Sequence, residues 1–153
     1  MNAVELIKEY PFLEINEEFT KNNHTWLDEF EPGWNNAFGL EFCKELKEAL
    51  IKDNKLESFC FTEIKEKYGA LDIFSLNAGY YASKVLSKYE NLSQYYCAQC
   101  GKPARYVYTM YIYPVCEKCV RAFDGGPYKT IERFHDFDDY SGVKSEVARL
   151  QNL

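Results

Sequence analysis

The sequence predicts an α+β fold in which helices pack on a β-hairpin and on an integrated four-cysteine ribbon. Three observations support this prediction. Apolar residues recur at helical spacing over residues 35–53, two strand-like runs at 59–64 and 71–76 flank a glycine turn, and two CxxC pairs stand fifteen residues apart. A chain of 153 residues has the length of a single compact domain.

A short helix is predicted at the N-terminus. Asn2 is a good capping residue and Glu5 is placed to reach back to it, while Pro11 ends the helix. Residues 14–31 are acidic and poorly periodic. Four of their apolar side chains are expected to dock on the core: Phe19, Trp26, Leu27 and Phe30.

A longer helix is predicted over about residues 35–53, after a turn at Pro32-Gly33. Its apolar residues repeat at the spacing of one helix face, and they are Phe38, Phe42, Leu46, Ala49 and Leu50. The charged residues fall on the other side, which we expect to face solvent: Glu41, Lys44, Glu45, Lys47 and Glu48.

Two alternating runs then predict a β-hairpin with Tyr68-Gly69-Ala70 as its turn. In the first run, Phe59, Phe61 and Glu63 alternate with Cys60, Thr62 and Ile64. Asn77 is predicted to cap a helix of about residues 78–92, with an apolar stripe at Tyr81, Val85, Tyr89 and Leu92.

The two CxxC pairs are the most specific motif of the chain: Cys97, Cys100, Cys116 and Cys119. Each CxxC turn points its two sulfurs to one side, and two such turns facing each other complete a tetrahedron. Gly101 supplies the left-handed turn that such a knuckle needs. We therefore predict one Zn²⁺, and a site of four sulfurs, with no open coordination position, is structural.

The predicted zinc ribbon spans residues 95–121, with a hairpin formed by 105–108 and 111–115. Only residues 93–96 separate the preceding helix from the first CxxC knuckle, so we expect the ribbon to pack on the core. Residues 122–153 form an acidic tail, with a turn at Asp124-Gly125-Gly126-Pro127 and a terminal helix near 141–151.

The other two cysteines, Cys43 and Cys60, are expected to be small buried hydrophobes of a reducing compartment. The first 19 residues lack the basic start and apolar run of a signal peptide. The sequence also lacks the ~18 uninterrupted apolar residues of a membrane span. These features predict a cytoplasmic location without membrane insertion.

Charge is distributed unevenly along the chain, whose net charge is −6. Residues 1–94 carry 10 Lys and 17 Asp/Glu, residues 95–121 carry four basic groups and one acidic group, and residues 122–153 carry four basic and six acidic groups. The net charges of these segments are −7, +3 and −2. Because zinc holds its cysteines as thiolates, the metal centre itself adds −2 and offsets most of the basic ribbon. Duplex binding, which depends on many phosphate contacts, is therefore disfavoured.

Three segments together resemble a family of small bacterial and prophage-borne zinc-ribbon proteins. These proteins carry a Gly-Trp start to a helix, a strand motif close to VKEKFGGLRFY, and a CxxCG…CxxC ribbon. The corresponding stretches here are Gly33-Trp34, IKEKYGALDIF at 64–74, and CAQCGKP at 97–103 with CEKC at 116–119.

The match covers about residues 31–120 and departs from the family pattern at Ala70 and Asp72, where the family tends to have Gly and Arg. The resemblance implies a zinc-bearing α+β module and a setting in phage or mobile elements. It implies no catalytic residues.

A row of tyrosines along the ribbon hairpin is a candidate binding surface: Tyr106, Tyr108, Tyr111 and Tyr113, with Tyr95 and Tyr96 nearby. Such rings can stack on single-stranded bases or contact a partner protein. They can equally pack alternately on the core helices as ordinary strand residues. Glu29 and Glu31 are candidate acidic contacts beside them.

Carboxylates offer a weaker alternative. The stretch His135-Asp136-Phe137-Asp138-Asp139 and the hairpin residues Glu63, Glu66 and Asp72 could furnish a hydrolase site. Each group is also what a solvated turn or exposed strand face contains.

The function that these observations favour is non-enzymatic protein–protein interaction by a zinc-binding protein of phage or mobile-element type, as an inhibitor, anti-defence or immunity-like factor. The alternatives are a nucleic-acid-binding zinc ribbon and a small carboxylate-based hydrolase. The contact residues are expected among exposed members of the tyrosine hairpin and at Glu29 and Glu31.

Overall fold

The computed structural model describes residues 1–122 and 125–131. It confirms the α+β class: five helices and five strands occur in this part of the chain. The helices are α1 (Ala3–Glu9), α2 (Glu17–Lys21), α3 (Pro32–Lys52), α4 (Tyr80–Ser93) and α5 (Glu117–Ala122), with short 3₁₀ turns at Pro11–Leu13 and Trp26–Glu29. The strands are β1 (Cys60–Lys67), β2 (Ala70–Leu76), β3 (Tyr106–Tyr108), β4 (Pro114–Val115) and β5 (Tyr128–Thr130).

The strands form two small antiparallel sheets. One is the hairpin of β1 and β2, and the other has the order β4-β3-β5. The predicted ribbon hairpin is therefore present as β3 and β4, whereas its third strand, β5, was not predicted. The proposed terminal helix near 141–151 lies outside the described residues.

A β-bulge interrupts the register of β1 between Phe61 and Glu63. The extra residue, Thr62, shifts the alternation of side chains, so that Phe61 and Ile64 are both buried. The sequence predicted strict alternation, with these two side chains on opposite faces of the strand. That prediction is wrong, because the bulge brings both side chains to the same face.

The helix predicted at the N-terminus is confirmed as α1. The side chain of Asn2 accepts a hydrogen bond from the Glu5 amide, and the Glu5 carboxylate accepts one from the Asn2 amide. This reciprocal capping box satisfies two backbone donors of the first turn.

Helix α3 supplies the central face of the core. Its predicted apolar face is confirmed, because Phe38, Phe42, Leu46, Ala49 and Leu50 are all buried. The predicted turn at Pro32-Gly33 is wrong: both residues belong to the first turn of the helix, where the missing N–H of proline costs nothing.

Helix α4 lies against α3 and β2, and its N-terminus differs from the prediction. Asn77 has a left-handed backbone (φ 63°), and its side-chain amide nitrogen Nδ2 donates to the Ser58 carbonyl oxygen. The capping carboxylate comes instead from Asp53, which accepts from the amides of Tyr81 and Ala82 at 3.1 and 2.9 Å.

The N-terminal half of the buried stripe of α4 is displaced by one position from the predicted stripe. Ala82 and Leu86 are buried, whereas Tyr81 is exposed and Val85 is only partly covered. Tyr89 and Leu92 are buried as predicted.

The core that these elements enclose is strongly aromatic. Trp34 is fully buried, and Phe42 lies within ring contact of Phe30, Phe61 and Tyr89. Cys43 is buried here, and burial raises its thiol pKa to about 12. Cys60 is exposed, so the prediction that both unpaired cysteines are buried holds only for Cys43.

Among the helices in the described ranges, none combines the length and apolar character that a membrane span requires.

Candidate metal centre

The first cysteine pair lies in a tight turn closed by main-chain hydrogen bonds. The Cys97 amide donates to the Lys102 carbonyl oxygen at 2.6 Å, and the Gly101 amide donates to the Cys97 carbonyl oxygen at 2.9 Å. Gly101 has a φ of +88°, a conformation that a residue with a Cβ adopts only at a steric cost. The predicted role of Gly101 is thus confirmed.

The second pair lies where β4 ends and α5 begins. The Cys119 amide points at the Cys116 sulfur at 3.4 Å, and the Val120 amide donates to the Cys116 carbonyl oxygen at 3.0 Å. This helical turn places the sulfurs of Cys116 and Cys119 on the side that faces the first pair.

All four cysteine sulfurs lie within 4.8 Å of one another, and those of Cys100 and Cys116 are 3.6 Å apart. A tetrahedral site with Zn–S bonds of ~2.3 Å has sulfur–sulfur distances of about 3.8 Å. Across residues 1–122 and 125–131, no other group of His, Cys, Asp or Glu side chains could hold a metal. The geometry therefore fits one metal ion at Cys97, Cys100, Cys116 and Cys119.

The electrostatics of the sulfurs also favour a cation. Burial raises the pKa of the Cys100 and Cys119 thiols, and the neighbouring sulfurs raise both further. Burial also acts to raise the pKa of Cys116, but the Cys119 amide and the surrounding thiols lower it overall. Four thiolates this close repel one another unless a cation lies among them.

The metal centre packs directly on the N-terminus of α3. The Gly33 amide donates to the Ala98 carbonyl oxygen at 2.8 Å, and the Trp34 indole donates to the Tyr96 carbonyl oxygen at 3.2 Å. A Cβ on Gly33 would lie 2.7 Å from main-chain atoms of Ala98 and Gly101. Glycine is therefore required at this contact between the helix and the knuckle.

The tyrosines of the ribbon hairpin divide between core and surface. Tyr108 and Tyr113 are buried, with exposed fractions of 1% and 8%. Tyr106 is half-buried, and Tyr111 is exposed. Tyr95 and Tyr96 are buried as well. A continuous ladder of exposed rings is therefore absent from the described ribbon, and Tyr108 and Tyr113 are withdrawn from the candidate contact surface.

The two candidate acidic residues have separate partners. Glu29 is exposed and lies 2.8 Å from the ring nitrogen of His24. Glu31 accepts a 2.7 Å hydrogen bond from the Tyr113 hydroxyl. Glu31 thus joins the ribbon to the start of α3, while Glu29 lies at the preceding 3₁₀ turn.

A cluster of exposed apolar residues lies where the turns of the two hairpins meet. We call it the tip surface and define it as Tyr68, Met110, Tyr111 and Ile112, whose exposed fractions are 75, 77, 45 and 47%. A Cβ on Gly69 would lie 2.8 Å from the Ile112 side chain, so the turns are in contact. Of its four residues, only Tyr111 was predicted from the sequence as a contact residue, although apolar residues in the turns of both hairpins were a signal for the other three.

The four basic residues of the ribbon line one shallow cleft beside the metal centre: Lys102, Arg105, Lys118 and Arg121. The cleft has a volume of about 740 Å³ and also includes Glu117, which pairs with Arg121 at 2.9 Å. None of the ribbon tyrosines lines it. The basic groups therefore converge, but away from the exposed aromatic residues.

The hairpin carboxylates proposed for acid–base chemistry have ordinary surroundings. Glu66 accepts a hydrogen bond from the Gly69 amide in the turn, and Glu63 pairs with Lys65 at 3.5 Å. Asp72 lies opposite Lys65 in the strand register. The His135–Asp139 stretch lies outside the described residues.

Comparisons of the chain with protein-family models, curated proteins and solved structures gave no match.

Proposed function

We propose that this chain is a non-enzymatic zinc protein that binds another protein through its tip surface. Four sulfur ligands at tetrahedral spacing favour zinc. Because such a site leaves no coordination position for a substrate, the metal would act by holding the ribbon on the core. The partner would then bind at a surface away from the metal ligands.

The observation that carries the proposal is the exposure of Tyr68, Met110, Tyr111 and Ile112 in two turns that contact each other at Gly69 and Ile112. Contiguous apolar surface costs free energy in water and marks interaction sites. Tyrosine and methionine are also enriched at protein interfaces. Two turns that contact each other at Gly69 and Ile112 would lose less entropy on binding than two separate turns would.

Acidic groups border the Tyr111 side of the tip surface, whereas the Lys67 amine lies over the ring of Tyr68, 5.7 Å from its centroid. Partial burial raises the pKa of Tyr111, and the nearby charges of Glu66 and Glu31 raise it further. A partner with an apolar centre and basic groups facing the Tyr111 side would complement this arrangement. Such charge complementarity acts mainly on specificity and on the rate of association.

The resemblance noted in the sequence extends the proposal to a biological setting. A phage or mobile-element protein that acts in the cytoplasm as an inhibitor, anti-defence or immunity-like factor would need a compact body, a closed metal site and one binding surface. The reducing cytoplasm would also keep the cysteines available to zinc.

Site-specific photo-crosslinking in the cells that express the protein tests this proposal. A photoreactive phenylalanine at Met110 is expected to capture a protein that the same residue at Val4 does not capture. Val4 is the matched control because it is 65% exposed, against 77% for Met110, but lies on α1. Tyr111→Ser should remove the crosslink. Equal crosslinking at both positions would contradict the proposal.

A second candidate, nucleic-acid binding, is favoured by the basic cleft beside the metal centre. Charge argues against it, because the net −2 of four thiolates with one Zn²⁺ and the charge of Glu117 offset most of the four cations, and residues 1–94 carry a net −7. Titration with single-stranded and duplex oligonucleotides at about 150 mM salt separates the two functions. Micromolar binding that is lost in Arg105→Ala/Lys118→Ala would favour the second candidate.

A further inference from the structure

The ribbon sheet ends at β5, whose outer edge has no pairing strand among the described residues. The Ile131 amide donates to the Arg105 carbonyl oxygen, the Thr109 amide donates to the Pro127 carbonyl oxygen, and Lys129 lies opposite Val107. The odd-numbered residues of this segment thus bond to β3. By the alternation of an antiparallel ladder, the main-chain groups of Tyr128 and Thr130 point outwards.

Two other sheet edges, those of β2 and β4, are covered by the fold itself. Along the outer edge of β2, the amides of Leu71 and Ile73 donate to the side chains of Ser93 and Glu90 on α4. Along β4, the Pro114 carbonyl oxygen accepts from the Ala98 amide of the first knuckle. The edge of β5 differs from these two, since its three residues are all exposed.

A groove adjoins this open edge. It lies between the ribbon sheet and the turn of the first hairpin and has a volume of about 510 Å³. Its lining includes Val107, Lys129, Ile112 and Tyr68. A strand added beside β5 would alternate its side chains, so every second one would face this groove and the others would face the exposed ring of Tyr128.

We propose that β5 accepts an extended segment of a partner protein by β-strand addition, with alternate apolar side chains entering the groove and an acidic side chain facing Lys129. The proposal rests on the proposed function and names how the partner binds. Main-chain bonds to an open edge supply affinity in this mode, and pockets for alternate side chains supply specificity.

The charge of Lys129 favours a partner segment over a second copy of this chain at the edge of β5. Two copies pairing antiparallel about the middle of β5 would place one Lys129 opposite the other, and like charges directly opposite are destabilising. A lysine on an edge strand is a known device against self-pairing. A partner strand with an acidic residue opposite Lys129 would form a favourable cross-strand charge pair instead.

The test uses a random peptide library selected on the full-length, zinc-loaded protein. Enriched peptides are expected to alternate apolar residues around an acidic one and to bind at least tenfold more weakly to Thr130→Pro than to Thr130→Val. The proline removes an outward amide and no ladder bond, while the valine keeps that amide. Lys129→Glu, which leaves the backbone intact, should also weaken these peptides at least tenfold.

Amide exchange gives an independent readout: binding of a selected peptide should slow exchange at Tyr128 and Thr130. The inference is overturned if no peptide is enriched, if Thr130→Pro and Lys129→Glu bind as Thr130→Val does, or if the free protein dimerises through β5. Any of these results combined with a partner crosslinked from Met110 would leave the proposed function standing and remove only the strand-addition mode.

Discussion

Gly33, in the first turn of α3, lies so close to Cys97 that a side chain on the glycine would overlap the Cys97 carbonyl oxygen. The two residues are 64 positions apart in the sequence. Their contact joins α3, the longest of the described helices, to the first knuckle of the cysteine cluster. Because main chain packs on main chain here, neither side can yield by a change of rotamer.

Gly33→Ala is therefore expected to lower the free energy of unfolding by about 3 kcal/mol or more. Helix propensity alone predicts the opposite sign, a gain of about 1 kcal/mol for replacing glycine by alanine. Urea unfolding measures the change, and the rate of zinc transfer to a chromogenic chelator should rise with it. A stabilised variant would show that the contact is not tight.

Removal of one metal ligand is expected to destabilise the whole described fold in a single transition. Cys116→Ser should lower the melting temperature by about 10 °C or more, because zinc-binding energy is also folding energy. The matched control is Cys60→Ser, at an exposed cysteine outside the cluster. Calorimetry and elemental analysis, with one zinc per chain expected in the control, check this prediction. If only the ribbon loosens, the contacts of Gly33 and Trp34 do not couple it to the core.

The sequence predicted those features that depend on neighbouring residues. The apolar face of α3 follows from its 3.6-residue period, and the cysteine cluster follows from the spacing of two CxxC pairs. The start of α3 was misplaced because Pro-Gly is common in turns, although proline is equally suited to the first helical position. The contact with Cys97 explains why this helical position holds glycine.

Features that depend on distant parts of the chain escaped prediction. The cap of α4 comes from Asp53, which precedes the helix by a whole hairpin. Alternation along the ribbon indicated that some tyrosines are buried but did not identify them. The turn between β3 and β4 changes which residues of the second strand face the core. Tyr108 and Tyr113 are buried while Tyr111 between them is exposed.

The Asp53 cap can be tested against the cap that the sequence suggested. Asp53→Ala leaves the amides of Tyr81 and Ala82 without their acceptor and should cost about 1–2 kcal/mol of unfolding free energy. Asn77→Gly should cost less, because glycine relieves the left-handed backbone while only one exposed hydrogen bond to Ser58 is lost. Thermal melts of both variants show which of the two residues caps the N-terminus of α4. A larger loss in Asn77→Gly would restore Asn77 as the residue that orders this end of α4.

The hydrogen bond from Tyr113 to Glu31 predicts a specific alkaline sensitivity. Burial and this bond raise the pKa of Tyr113 above its usual value of 10.0. The folded protein therefore keeps a proton that the unfolded chain releases, so the stabilisation is present below about pH 10 and is lost as pH rises further. Tyr113→Phe should cost about 1 kcal/mol at pH 7 and flatten the loss above pH 10.

Urea unfolding between pH 8 and 11.5 measures this slope, and the wild-type and variant curves should converge at the alkaline end. Tyr80→Phe, at an exposed tyrosine, is the matched control for loss of a hydroxyl. Buried Cys43, whose pKa is raised to about 12, contributes to the slope in the same direction in all three proteins. Parallel curves for wild type and Tyr113→Phe would mean that the hydroxyl is not held by Glu31.

The last prediction concerns the carboxylate that covers the edge of β2. Burial raises the pKa of Glu90, the charge of Asp72 acts in the same direction, and the hydrogen bond from the Ile73 amide opposes them. A raised carboxylate pKa means that the folded state binds the proton more tightly than the unfolded chain does. The stability contributed by this group therefore falls as pH rises above about 4.5.

Glu90→Gln keeps an oxygen to accept from the Ile73 amide and removes the half-buried charge beside Asp72. We expect this variant to be more stable than wild type at pH 7 and to lose that advantage as pH falls towards 4, where the wild-type carboxyl is neutral as well. Ser93→Ala is the contrasting variant: it leaves the buried Leu71 amide unpaired and should cost about 1–3 kcal/mol at every pH. Urea titrations at pH 4 and pH 7 check both, and a Glu90→Gln protein less stable than wild type at pH 7 would show that the charged hydrogen bond outweighs the cost of burying the carboxylate.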